Sequence, residues 1–342
     1  MNDSGRTMGT AEPMVPTRTT SRIVVGGRRL TQPGDVSVIV LRGAMPGPTA
    51  VITANLHGDE CTGLGVARRL DRWLRGLGEL VGTVVLYPSC NPQGLTLLTR
   101  AVPVDDADLN RQFPGSSRGD WSARLAHALW TDIVGRRPDV LIDLHADAPS
   151  AIPYVIVDRP VRRSGAARVG LAARLLELAE ATGLTVLREY PDEVYVQFSL
   201  DRSLAGAMVN LEGVPAITLE VGPRRHIDPV AVEVSFQATV GVLGALGMVP
   251  ASAFEHPTRQ SGVWRRASSP RARRAGLVEP LVTPGDSVRV GQVMARVFSL
   301  TGELQDEVVA AEAGIVVSWV DAPWVAAGGV VGTLGVPDVE PL

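Results

Sequence analysis

Residues 49–60 read TAVITANLHGDE, and residues 139–145 read DVLIDLH. Both begin as apolar, β-branched runs, the composition of strands buried on two faces. The first runs directly into His57, and the second closes on His145. In α/β sheets, functional groups gather just beyond the carboxyl ends of strands. Two of the chain's five histidines therefore stand where such a fold places its chemistry.

Outward from these stretches the same alternation continues. Apolar runs at 36–42 (VSVIVLR), 82–88 (GTVVLYP) and 214–221 (VPAITLEV) read as strands. Helical spacing covers 62–77, with Leu64, Leu70, Leu74 and Leu77 on a shared stripe. Further helices are predicted over 121–135, 162–182, 198–211 and 229–247, and a polar loop over roughly 99–120. Strands alternating with helices predict an α/β sheet covered by helices on both faces. Near residue 256 the pattern changes. HPTRQSGVWRRASSPRARRAG (256–276) holds six arginines and no helical stripe, and short strand-like runs broken by glycine follow it. The expected organisation is a disordered lead-in over 1–21, an α/β domain over 22–255 and an all-β domain over 256–342.

Composition narrows the chemistry. The chain has 342 residues, and all 33 of its basic side chains are arginine; there is no lysine. That excludes a P-loop, a Schiff-base enzyme, and covalent biotin or lipoate attachment. Two cysteines, Cys61 and Cys90, make no disulfide framework and are expected to be small reduced core residues. The lead-in has no apolar core of a signal peptide. No stretch reaches about 18 uninterrupted apolar residues, and the most apolar one, 230–249, carries Glu233 and Gln237. The expectation is a cytoplasmic protein that neither spans nor binds a membrane. With a net charge of −3 and no interleaved aromatics, the arginines of 259–274 read as a solvated or interface face and not as a nucleic-acid site.

His57 and Glu60 form an H-x-x-E pair, a spacing at which imidazole and carboxylate can converge on one ion. With His145 they make two histidines and a carboxylate, a catalytic zinc set that leaves one position open. The loop 99–115 adds Arg100 and the pair Asn110-Arg111, whose guanidinium and amide suit a carboxylate. Glu220 ends an apolar strand, as either a paired structural acid or a general base.

Taken in order, NLHGDE, NPQG (91–94), DLNRQFPG (108–115), DLH and TLEVG (218–222) resemble the zinc carboxypeptidase superfamily. Within it they are most similar to the succinylglutamate desuccinylase/aspartoacylase family, over about 50–335, in the branch that includes N-acetyl-diaminobutyrate deacetylases. The resemblance implies a mixed sheet with helices on both faces and a small C-terminal barrel-sandwich-like β domain that narrows access to the site. It implies one Zn²⁺ per chain, held by His57, Glu60 and His145. It implies Glu220 as general base, Arg100 as the group that polarises the carbonyl and stabilises the oxyanion, and Asn110 and Arg111 as the substrate-carboxylate anchor. Asp143, two residues before His145, would share its strand face, as a partner of the histidine or as a structural acid. The segment 188–202, with Tyr195, Gln197 and Arg202, is expected to line the pocket. The implied activity is an amidohydrolase acting on a small N-acyl amino acid or related amine. The alternatives are a metallocarboxypeptidase on short peptides and a non-catalytic zinc- or ligand-binding homologue. Homo-oligomerisation stays open.

Overall fold

The computed structural model of the chain describes residues 15–25, 35–251, 253–267 and 270–339. Strands β1 (Thr17–Ile23), β2 (Val36–Arg42) and β3 (Met45–Ala54) open the fold, followed by helix α1 (Thr62–Gly76), β4 (Val81–Tyr87) and a short helix α2 (Pro92–Leu97). Helix α3 (Trp121–Gly135), β5 (Val140–His145), β6 (Tyr154–Val157), α4 (Gly165–Glu180) and β7 (Thr185–Arg188) come next. Two short helices, α5 (Asp192–Gln197) and α6 (Leu204–Ala207), lead to β8 (Ala216–Glu220) and the long helix α7 (Pro229–Ala245). The C-terminal part is all strand: β9 (Val263–Arg266), β10 (Gly276–Pro280), β11 (Ser287–Val288), β12 (Val293–Phe298), β13 (Leu304–Val309), β14 (Gly314–Trp319), β15 (Trp324–Val325) and β16 (Gly332–Pro337).

The large sheet has the order β1-β2-β4-β3-β5-β8-β6-β7-β9-β16-β14-β11. Its centre, β4-β3-β5-β8, is parallel, while β6 runs antiparallel to β8, so the sheet is mixed. Every residue of β5 is buried, as are the last five of β3. Both side-chain directions of these strands are thus covered, which is why Val140, Leu141 and Ile142 are apolar at successive positions and not in alternation. Helix α1 buries Val66, Ala67, Leu70 and Leu74 over the strands; Leu64, placed on that stripe by the spacing, is only half-buried. Its glycines allow close seating: a Cβ on Gly63 would stand 2.7 Å from the Ala54 side chain.

Three expectations from the sequence need correction. The continuous helix over 198–211 is instead a 3-10 turn at Leu200–Arg202, the four-residue α6 and a π turn at Met208–Glu212. Ser203 breaks it, holding extended backbone and capping α6 through its hydroxyl, which accepts from the Gly206 amide at 2.9 Å. The lead-in assigned to 1–21 includes Thr17–Ser21, which pair antiparallel with β2; residues 1–14 lie outside the described ones. Polar at most positions, β1 is an exposed edge strand, and so lacks the apolar signal of the others. Finally, hydrogen bonding does not stop at 255. β9 pairs parallel with β7 and antiparallel with β16, so the large sheet runs on into the C-terminal segment.

That segment keeps a core of its own, around Met294, Val297, Val316, Trp319 and Leu334. A four-stranded antiparallel sheet, β13-β12-β10-β15, contributes to it. A smaller apolar cluster joins the two parts, with Ile152, Tyr154, Ile156 and Leu187 against Ile315 and Val317. Asp338, just past β16, is clamped by Arg188 at 2.7 Å. The β segment is therefore fixed against β6 and β7.

Candidate functional site

Three adjacent parallel strands, β3, β5 and β8, end at one edge of the sheet. The register sets His145 beside Glu220, each the last residue of its strand. The chain leaving β3 makes a tight loop over residues 55–60. Asn55 takes left-handed backbone, φ 58°, which Asn tolerates better than most residues. Its side-chain amide donates to the carbonyls of His57, Gly58 and Glu60 at 2.9, 3.0 and 3.1 Å. One side chain thus ties down the backbone of the H-x-x-E turn.

The NPQG stretch braces this loop from behind. The Asn91 side-chain oxygen accepts from the Gly94 amide at 2.9 Å as the cap of α2, and the Asn91 backbone N–H donates to the Asn55 carbonyl at 3.0 Å. The backbones meet so closely that a Cβ on Gly58 would lie 2.0 Å from the Gly94 carbonyl carbon. Gly58→Ala is therefore expected to destabilise the protein by about 1–3 kcal/mol, the usual cost of overpacking, as read by urea denaturation. An unchanged unfolding midpoint would show that the loop and α2 can part freely.

The loop and β5 bring their donors together. Glu60 Oε1 lies 2.8 Å from His57 Nδ1, and Glu60 Oε2 lies 2.7 Å from His145 Nδ1. One ligand atom from each residue falls within 4.8 Å of the others, and all three side chains are buried. Both histidines turn the same nitrogen inward. Their outer nitrogens are held by carboxylates: His57 Nε2 is 3.1 Å from Asp108, and His145 Nε2 is 2.9 Å from Asp143. Asp143 is in turn fixed by the Thr53 hydroxyl, which donates at 2.7 Å. A carboxylate behind each imidazole fixes ring and tautomer and raises ligand basicity, as at zinc sites. The residues present fit a divalent cation.

The electrostatics agree. Burial would depress His145, but Asp143 and Glu60 outweigh it and hold the ring well above its ordinary value. Burial would raise Glu60, yet His57 and His145 pull it well below the usual range. Asp108 is likewise lowered, by His57 and Arg100 against burial. Negative charge is thus held on the carboxylates of a buried cluster that can trade protons for a metal ion.

Arg100 reaches the inner side of this cluster, 3.2 Å from His57 Nδ1 and 3.3 Å from Glu60, and also pairs with Asp108 at 3.2 Å. Asn110 is anchored through its side-chain oxygen, which accepts from the Leu204 amide at 2.8 Å. Arg111 gives one nitrogen to the Asn110 carbonyl at 2.7 Å. His57, Glu60, His145, Arg100, Asn110, Arg111 and Glu220 line one cavity of about 210 Å³. Glu220 forms no hydrogen bond or ion pair among the described residues. Burial, with Glu60 and Asp147 nearby, pushes it up to about 8, although His145 and Arg266 act in the opposite sense.

Several residues of the site escape a reading of the sequence. Asp108 was visible only as the first letter of DLNR. Asp147 and Tyr154 sit beside Glu220 and bond each other at 2.9 Å. Asp158 follows β6, which runs antiparallel to β8, so it reaches the cavity on the sheet face shared with Tyr154 and Ile156 and not at the edge where β5 and β8 end. Arg266 and Thr333 reach the cavity from the C-terminal segment. Of the two readings of 259–274, solvated face or interface, Arg266 fits the interface: it turns inward, bonds Glu189 at 3.0 and 3.3 Å and lies 5.0 Å over the Tyr190 ring. Its neighbours behave otherwise, Arg259 pairing with Glu180 and Arg273 with Asp306 at 2.5 Å. The segment 188–202 lines the cavity through Glu189 and Leu200. Of its three named candidates, Gln197 and Arg202 are exposed, and Tyr195 stands behind the wall, its hydroxyl donating to Asp158 at 2.7 Å.

The sequence profile of the succinylglutamate desuccinylase/aspartoacylase catalytic domain matches residues 46–243. The chain belongs to this family, a class of hydrolases acting on N-acyl amides. Among curated proteins it is similar to the N-alpha-acetyl-L-2,4-diaminobutyric acid deacetylase of Halomonas elongata. The two are 28% identical over 272 residues, 77% of this chain and 73% of the relative. Among solved structures, an aspartoacylase family protein from Mesorhizobium loti shares the fold at a TM-score of 0.76 and 23% identity, covering 97% of this chain and 98% of that one. The product-bound ectoine utilization protein EutE (DoeB) from Ruegeria pomeroyi shares it at 0.78 and 20% identity, covering 96% and 100%. No helix among the described residues is long and apolar enough to cross a membrane.

Proposed function

We propose that this protein is a zinc-dependent deacylase that hydrolyses the amide of a small N-acyl amino acid, with N-α-acetyl-2,4-diaminobutyrate the first substrate to try. The observation that carries this reading is the joining of the His57–Glu60–His145 donor set, Arg100 and Glu220 around one small cavity. The similarity to the Halomonas deacetylase supports the choice of substrate. Bound by the three donors, a Zn²⁺ ion would acidify a water molecule and polarise the scissile carbonyl.

The chain's own residues do the rest. Glu220, whose side chain has no hydrogen-bond partner among the described residues, takes the proton of the attacking water and delivers it to the leaving amine, which departs as the neutral amine or ammonium. Arg100 donates to the oxygen on which negative charge develops, the kind of fixed positive charge that lowers such a barrier most. Arg111 and the Asn110 amide hold the substrate carboxylate, which fixes the amide relative to Glu220. The cavity, about 210 Å³, is smaller than the roughly 300–1,000 Å³ of clefts for drug-sized ligands. With Thr333 and Arg266 closing one side, that volume favours a small substrate over a polypeptide tail.

The test is hydrolysis of N-acetyl, N-formyl and N-succinyl amino acids and of di- and tripeptides by zinc-loaded protein, followed by mass spectrometry. Loss of acyl groups from the amino acids is expected. Trimming of peptides with the acyl amino acids untouched would make the protein a metallocarboxypeptidase. Tight zinc binding without any hydrolysis would make it a non-catalytic homologue.

A further inference from the structure

The cavity contains more charge than the deacylation step uses, and most of it is internally balanced. Glu189 has both oxygens on Arg266, at 3.0 and 3.3 Å. Asp147 accepts from Tyr154 at 2.9 Å and lies 3.9 Å from Arg224. Asp158 differs. It lines the cavity, is 5% exposed, and has one oxygen engaged by the Tyr195 hydroxyl at 2.7 Å. Among the described residues no arginine or histidine comes within ion-pairing distance of it. A carboxylate in that position is costly unless a cation or donor completes it.

Arg111 makes the arrangement specific. Its charge is close enough to be felt by Asp158, yet the two do not pair; Arg111 is tied to the Asn110 carbonyl instead. A guanidinium and a carboxylate thus line the same small cavity, each with capacity unused. A small molecule carrying a carboxylate and an ammonium a few bonds apart would satisfy both at once. An anionic side chain in the same place would leave Asp158 without a counter-charge.

We infer that Asp158 is the specificity-determining residue of this cavity, receiving a side-chain ammonium of the substrate while Arg111 receives its carboxylate. This rests on the deacylase reading for the reaction but not for the binding. Burial, with Glu189 beside it, pushes the Asp158 carboxyl up to about 8, so the bound cation would also draw off its proton.

The test is Asp158→Asn, which keeps an oxygen for the Tyr195 hydroxyl. Two readouts are compared with the parent protein, both zinc-loaded. The first is kcat/KM on N-α-acetyl derivatives of 2,4-diaminobutyrate, of the uncharged 2-aminobutyrate and of aspartate. The second is calorimetric binding of the free amino acids 2,4-diaminobutyrate and 2-aminobutyrate. The parent is expected to prefer the diamino compound in both, and the variant to lose about 10–100-fold of that preference, the range of a charge-assisted hydrogen bond. An equal fall for every compound would reduce Asp158 to a support for Tyr195 and overturn the inference, as would a parent with no preference. Preference in binding without hydrolysis of any acetyl compound would sink the deacylase reading and leave the ammonium subsite standing.

Discussion

Glu220→Gln is expected to lower kcat by about 10²–10⁴-fold, the usual contribution of a positioned general base, with zinc content and melting temperature close to those of the parent. The amide is nearly isosteric and breaks no hydrogen bond, because the Glu220 side chain makes none among the described residues. What it removes is a proton acceptor beside the His57–Glu60–His145 set. The pH profile gives the sign independently. Glu220 accepts a proton only when ionised, so kcat/KM should rise with pH as the carboxyl deprotonates. Burial, opposed by His145, pushes that group up to about 8 in the protein without metal. A dication at the adjacent donors favours the carboxylate. The acid limb should therefore lie below about 8 and above the roughly 4.3 of an ordinary glutamate. The limb should vanish from the residual activity of the variant. Activity of Glu220→Gln within threefold of the parent would remove Glu220 from the chemistry and return it to the role of a structural acid.

Why Glu220 could be singled out from the sequence, while Asp158 could not, is instructive about what a sequence makes legible. AITLE ends a strand long enough and apolar enough to be recognised, so an acid at its end stands out. YVIV, before Asp158, is a four-residue strand in a stretch crowded with proline, and it runs antiparallel to β8, so its carboxyl end does not fall at the edge where Glu220 stands. The same logic covers the site as a whole. His57, Glu60 and His145 are local features of β3 and β5, whose two-sided burial writes itself into composition. Arg266 and Thr333 enter the cavity only because β9 adds to β7 and β16 to β9, pairings between residues far apart in the chain. Nothing in SGVWRRASS distinguishes the arginine that turns inward from the one before it. The broken helix over 198–211 failed for a third reason. Ser203 ends the polar run Asp201-Arg202-Ser203 and caps a new turn whose Leu204 amide holds Asn110. There the tertiary contact overrides the helical periodicity.

His145→Ala is expected to abolish stoichiometric zinc binding and with it all hydrolysis, measured by metal content after dialysis against a weak chelator. The comparison that gives this result meaning is with Asp143→Asn and Asp108→Asn. Neither of these offers an atom to the inner set; each holds the outer nitrogen of a ligand histidine, at 2.9 Å for Asp143 and 3.1 Å for Asp108. Loss of such a partner typically costs about 10–100-fold in metal affinity, so these variants should still bind zinc, only more weakly. The deeper burial of Asp143, and its second tie to Thr53, predict the larger effect at that position, because the freed imidazole cannot turn to water for a replacement. Affinity should also fall as the pH is lowered. Asp143 and Glu60 hold His145 well above its ordinary value in spite of burial, so below that raised value an incoming ion must displace a proton from the ring. If His145→Ala bound zinc as tightly as Asp143→Asn, the ion would have to sit elsewhere, and the convergence of His57, Glu60 and His145 would be only a buried hydrogen-bond network.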